Sequence, residues 1–303
     1  MLTMSEKINP RSVSIGTTTF YKNWEPGEVD LTNIDKVRGD EAIEFAREAK
    51  ERGYPLTVVD GGSPKLFVET LQALGVLVFP QEEPGMGPGR RQALMIASQA
   101  PSAEAIIWAE PEKGSFIADC LEMACQPILG DSADMVVPRR NRYLFRTTYP
   151  SFQVQSEDWA NDGINNILLR EFDQVTYLDI LFGPKVFRND PKRLGFFMRK
   201  YRYHLREGLS DSGVARAKGL NSELWAGICA LPVVAALHEE YVVQSVDVPF
   251  RYPQVQKRAE QVASLASVME EKRMNQLRNM IILVLEYVRL LKGDPRSRLE
   301  QIT

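Results

Sequence analysis

Apolar residues come in short runs of four to six over the first 140 positions, and each run is followed by a longer segment of helical periodicity. "SVSIGTTTF", "LTVVD", "VLVF", "AIIWAE" and "ADMVVP" read as strands. The segments 35–52, 64–74, 89–100 and 115–129 read as the helices between them. Runs such as Leu56-Thr57-Val58-Val59 do not alternate with polar residues, so they suit strands buried on both faces. Strands separated by helices imply right-handed crossovers and a parallel sheet. The second half is less regular. It holds a helical 156–172, an apolar "YLDILFGPKVF", a basic "RKYRYHLREG", a helix over 222–240 interrupted by Pro232, and a strand "YVVQSVDV". From 254 to 292 the chain reads as one long or two shorter helices. There Leu277, Met280, Ile281, Val284, Val288 and Leu291 form a stripe that suits docking on its own domain or a homodimer seam.

Composition narrows the functional classes. At 303 residues, 44% apolar and 25% charged, the chain is an ordinary globular protein large enough for a substantial core. A net charge of -3 gives no general attraction to nucleic acid or to an anionic membrane. Cys120, Cys125 and Cys229 lack C-x-x-C spacing and read as reduced core thiols of a cytoplasmic protein. The first residues show no secretory h-region, and no apolar run is long enough to span a bilayer.

Two strands end on carboxylates. "VVDGGSP" runs into Asp60 with Gly61 and Gly62 behind it, and "IIWAEPEKG" ends in Glu110 and Glu112. In open α/β sheets the ligand crevice lies beyond the carboxyl ends of the strands, so these acids would share one edge. Two carboxylates one residue apart can hold a divalent cation with positions left for phosphate oxygens. The competing readings are a simple turn at Gly-Gly-Ser-Pro and a solvated acidic loop. Between the two lies "PGMGPGRRQAL". Its G-x-G-x-G spacing and its place after the third strand exclude a dinucleotide fingerprint. A glycine-rich loop with Arg90 and Arg91 in the first turn of the following helix would instead bind an anion.

The order of these parts resembles the GT-A-fold nucleotide-sugar glycosyltransferases, especially family 2. "SIGTTTFYKN", "VVDGGS", "GPGRRQAL" and "WAEPEK" stand where that family has its nucleotide crevice, base-contacting aspartate, nucleotide-side loop and D-x-D motif. The likeness covers roughly 12–141, with Glu-Pro-Glu in place of Asp-x-Asp and Lys113 beside it. It implies an α/β fold with a mostly parallel central sheet flanked by helices, a Rossmann-like nucleotide half and C-terminal helices. The implied divisions are a nucleotide-sugar half (1–145), an acceptor half (146–253) and a helical extension (254–303).

The resemblance implies transfer of a sugar from a UDP- or GDP-linked donor to a soluble hydroxyl acceptor, assisted by Mn²⁺ or Mg²⁺. Thr17, Thr18, Asp60, Gly61, Arg90, Arg91 and Glu110 would face the donor, and Glu110 and Glu112 the metal. Glu223, at a helix start after the metal motif, would be the general base, with Asp179, Lys185 and Arg188 on the acceptor side. Lys200, Arg202 and His204 belong to a basic segment that would close over the diphosphate, His204 completing a metal shell. Two other classes stay open as alternatives: a sugar nucleotidyltransferase, which would want a glycine-rich, arginine-bearing loop after the first strand where "GTTTFYKNW" offers none, and a non-catalytic nucleotide-binding or scaffold protein of the same fold.

Overall fold

The hydrophobic runs build one seven-stranded sheet. The structure is a computed structural model that describes residues 7–201, 203–205, 229–297 and 299–301. The strands are β1 (Val13–Thr19), β2 (Leu56–Asp60), β3 (Leu77–Pro80), β4 (Ala105–Trp108), β5 (Met135–Arg140), β6 (Lys185–Arg188) and β8 (Val243–Val248), in the order β3-β2-β1-β4-β6-β5-β8. All neighbours pair in parallel except at β6, which is antiparallel to both β4 and β5. A small antiparallel pair joins β7 (Tyr203–Leu205) to β9 (Leu299–Gln301).

Each face of the sheet is covered. Ile15, Val58 and Ile107 point into one core together with Phe45 of α1 (Ile34–Glu51), Phe67 of α2 (Lys65–Ala73) and Leu121 of α4 (Leu121–Leu129). Val59, Ile106 and Trp108 point into the other, against α3 (Met86–Ala97), α6 (Ser151–Phe172) and α7 (Pro191–Met198). This two-residue alternation into two apolar layers is why a central strand such as β4 carries no polar face. The short α5 (Arg142–Thr148) links β5 to α6. Side chains of Asn33, Asn141 and Asp190 accept bonds from the first-turn amides of α1, α5 and α7 and fix where those helices begin.

Further α-helices among the described residues are α8 (Leu231–His238), α9 (Gln254–Glu260) and α10 (Ala263–Leu291), so 254–292 forms two helices. Pro232 lies in the first turn of α8, where its missing N–H costs no bond. The α10 stripe is buried within the chain: Leu277, Met280, Val284 and Val288 all lie in the second core, and α10 packs along α6. The three cysteines are free and buried. Among the described residues no helix is long and apolar enough to cross a membrane.

Candidate functional site at the carboxyl edge of the sheet

Strand direction gathers the site. β1, β4 and β5 all point their carboxyl ends to one edge, and the antiparallel β6 begins there, with Lys185 opposite Trp108. Tyr21 after β1, Glu110 and Glu112 after β4, Arg140 at the end of β5 and the loop before β6 therefore meet. A cavity of about 430 Å³ opens between them, closed by Arg38 of α1, by α9 and by Arg273 of α10. Its charged lining is balanced: Arg38, Lys113, Arg140 and Arg273 face Glu110, Glu112, Glu157 and Glu260.

The acidic motif is held from three sides. Thr17 Oγ1 donates to the Ala109 carbonyl at 2.7 Å, tying β1 to the residue before Glu110. Glu110 Oε2 is 3.2 Å from Lys113 Nζ. Burial alone would raise the Glu110 pKa, but Lys113 and then Arg90 outweigh it and keep the carboxyl below its ordinary range. The Tyr21 hydroxyl donates to Glu112 Oε1 at 3.0 Å; burial and Glu112 push the phenol well above its usual pKa, so it stays a donor. Gly183 lies against Glu110 so closely that a Cβ there would be 2.4 Å from Oε2. Gly183→Ala should therefore leave the fold standing but push Glu110 off Lys113. The expected result is a melting temperature within a few degrees of wild type and an affinity for nucleoside diphosphate about tenfold weaker by calorimetry.

Below the cavity lies a buried ion network. The Arg140 guanidinium gives Asp179 two bonds, Nε to Oδ2 at 2.6 Å and Nη2 to Oδ1 at 2.7 Å, and gives Glu157 Oε2 a third at 2.7 Å. Asn161 also donates to Asp179 Oδ1, and Arg273 and Gln153 to Glu157 Oε1. Desolvation would raise the Glu157 pKa, but Arg140 and Arg273 bring it down to about 2 from the ordinary 4.5. A depressed carboxyl stabilises the fold above its unfolded pKa, and that contribution is lost as pH falls through the folded one. Stability should thus drop between about pH 4.5 and 2, and Glu157→Gln should flatten that part of a curve of melting temperature against pH.

The structure corrects several expectations. Asp179 is 5% exposed and both its oxygens are taken, so it positions Arg140 and is not free to act as a base. Lys185 is fully buried, and Arg188 donates to the carbonyls of Ile128 and Ala133 at the far end of β6. Helix α3 begins at Met86, so Gly87 and Gly89 are helical and the two arginines lie in the second turn. Arg90 is buried with its guanidinium 5.1 Å from the centre of the Trp108 ring. Thr17 is fully buried on the Ala109 carbonyl, and Thr18 is half-buried. Lys200 is exposed. Glu223, Arg202 and 206–218 lie outside the described residues; of His204 the strand position, opposite Glu300, is described, and the side chain is not.

Asp60 stands at the same edge, at the end of β2 on the other side of β1 from β4. It accepts from Thr19 Oγ1 at 2.7 Å and from the amides of Gly62 and Ser63 at 2.9 Å, so it shapes its own turn. Gly62, with φ +115°, needs to be glycine, and Gly61 leaves room for Gln81 and Phe20. Ser63 Oγ accepts from the Tyr21 amide at 2.9 Å, which links this turn through Tyr21 to Glu112. Sequence reasoning did not single out Phe20. Its ring is 54% exposed, lies over the Gly61 backbone and carries Lys22 Nζ 5.2 Å from its centre. An exposed aromatic directly after β1 was the available signal.

Among the described residues no group of three or more acidic, histidine or cysteine side chains is arranged to hold a metal. Glu110 and Glu112 line one cavity, and two carboxylates are the number that Mg²⁺ commonly takes from protein when phosphate supplies other oxygens. They fit a cation that arrives with a diphosphate, with Lys113 as the competing partner of Glu110.

No protein-family model and no curated sequence matches the chain. Solved structures do. Glucosyl-3-phosphoglycerate synthase from Mycobacterium tuberculosis, in complex with Mn²⁺, UDP and phosphoglyceric acid, is 12% identical; the match covers 95% of this chain and 80% of that one, with a TM-score of 0.50. A second structure of that synthase is 13% identical, with 95% and 82% covered and a TM-score of 0.48. A protein of Desulfovibrio desulfuricans assigned as a nucleotide-diphospho-sugar transferase is 11% identical, with 90% and 98% covered and a TM-score of 0.40. The chain has a GT-A-like fold.

Proposed function

We propose that the chain is a glycosyltransferase that moves a sugar from a UDP- or GDP-linked donor to a soluble hydroxyl acceptor. The observation that carries this reading is the pair Glu110 and Glu112 beyond β4, sharing one cavity with Lys113, Arg38 and Arg273 on a GT-A-like sheet. The likeness to a synthase whose structure holds Mn²⁺ and UDP supports the same donor class.

In this reading Phe20 stacks on the base, and Asp60 with its Gly-Gly turn borders it. Glu110 and Glu112 would hold a divalent cation, which when bound would neutralise charge developing on the leaving diphosphate. Lys113 and Arg273 add fixed positive charge on the same side, in a site already organised before donor arrives. Tyr21 and Thr17 hold the acidic motif at its two ends. Glu223 is the base proposed for the acceptor hydroxyl, since Asp179 is engaged with Arg140 and Glu157 is held ionised. His204 and the basic segment keep their proposed place over the diphosphate.

The Lys113–Glu110 pair favours one second reading, a nucleotide-binding protein that uses lysine in place of a metal and does not turn over donor. Incubation with UDP-, GDP- and CMP-sugars, with and without Mn²⁺ and a pool of small hydroxylated acceptors, separates the two. Release of nucleoside diphosphate together with a new sugar conjugate supports transfer, and bound but unchanged donor supports the second reading. Phe20→Ala should weaken nucleoside diphosphate binding about tenfold with or without metal, since stacking on an aromatic contributes about 1–3 kcal/mol per base. Equal calorimetric affinities for variant and wild type would remove Phe20 from the base site.

A further inference from the structure

Lys185 is a fully buried cation that the proposed chemistry does not use. Among the described residues no carboxylate pairs directly with its ammonium; Asp179 and Glu110 act on it only through their field. The ammonium donates to backbone carbonyls of the turn just before it: Phe182 at 2.5 Å, Ile180 at 3.2 Å, Pro184 at 3.3 Å and Gly183 at 3.5 Å. Burying an ammonium is costly unless its donors are filled, and a buried carbonyl without a donor is costly as well. The two requirements meet here: three N–H donors face four converging carbonyls. An apolar side chain at 185 would leave those carbonyls without a donor, so the loop's shape depends on the charge inside it.

That loop forms one wall of the cavity. Leu181 and Phe182 line it, Gly183 is the residue packed against Glu110, and Asp179 at its start holds Arg140. We infer that Lys185 is a positioning residue whose ammonium folds 180–184 over the end of β4, so that Gly183 seats Glu110 for donor binding. The seating role rests on the proposed reading of Glu110 as a donor-site ligand; the folding of the loop does not. Burial pulls the lysine pKa below its ordinary value, which agrees with a group closed off from water.

The test compares Lys185→Met with Lys185→Gln, which keeps two donors without the charge. Hydrogen exchange should show the amides of 179–183 in Lys185→Met exchanging at least tenfold faster while those of β1 and β2 keep their protection. Affinity for UDP with Mn²⁺, measured by calorimetry, should fall at least tenfold, and Lys185→Gln should lie between Met and wild type in both. If Lys185→Met does not fold, the Gln variant carries the same comparison. Unchanged loop exchange, or faster exchange spread evenly over the sheet, would overturn the inference. So would a loosened loop with unchanged UDP affinity. Failure of the wild type to bind UDP would count against the proposed donor site, and loop exchange would still decide whether Lys185 shapes the wall.

Discussion

Arg140→Met should cost the fold about 3–5 kcal/mol, the usual loss when one partner of a buried ion network is removed. The guanidinium is 5% exposed and serves two carboxylates, Asp179 and Glu157, which are themselves almost wholly buried. Without it, Asp179 keeps Asn161 and the backbone amide of residue 140, and Glu157 keeps Gln153 and Arg273. Neither set cancels the charge on Asp179. The Arg140 guanidinium also lies 3.9 Å from the centre of the Phe145 ring and near those of Tyr149 and Phe182, so its stem and plane pack as well as pair. Lysine could supply the charge but not the fork, and Arg140→Lys should recover only part of the loss. Denaturant midpoints at constant slope measure both variants. A loss below about 1 kcal/mol for Arg140→Met would mean that water reaches the network and that it behaves as a surface pair.

Glu112→Gln should have the opposite profile, with little effect on stability and a large one on binding. Glu112 is half-buried at the cavity rim, and its amide analogue can still accept the Tyr21 hydroxyl through the carbonyl oxygen. What the substitution removes is a negative charge. If that charge helps to hold a cation on the diphosphate, Mn²⁺-dependent affinity should drop by two orders of magnitude or more while metal-free affinity changes little. Paired thermal melts and titrations of the same sample separate the two profiles.

Much of the sheet was legible because its signal is local. Runs buried on both faces and the helices between them are short-range patterns, and β1, β2, β4 and β5 all lie where those patterns put them. The acidic strand ends were legible for the same reason. The interactions that hold them are long-range. Tyr21 and Glu112 are 91 residues apart and Arg140 and Asp179 are 39 apart, and no spacing rule joins them. β6 is four residues long and runs against its neighbours, so "KVF" read as part of an apolar acceptor segment. With that strand unread, nothing in the sequence indicated that Lys185 is fully buried. The start of α3 was hidden by Gly-Met-Gly-Pro-Gly, which looks like a loop. Pro88 within the first turn is nonetheless compatible with a helix start, because the amide it lacks has no intrahelical partner there.

The central claim is that Glu110 and Glu112 form a donor site for a nucleoside diphosphate sugar, and one calorimetric experiment tests it most directly. UDP and GDP are titrated in Mn²⁺ into the wild type and into Glu112→Gln, with the fold of each checked by its melting temperature. The account expects at least one nucleotide to bind the wild type in a metal-dependent manner and to lose that dependence in the folded variant. Binding that is equal in the two proteins, or absent from the wild type for both nucleotides, would contradict it.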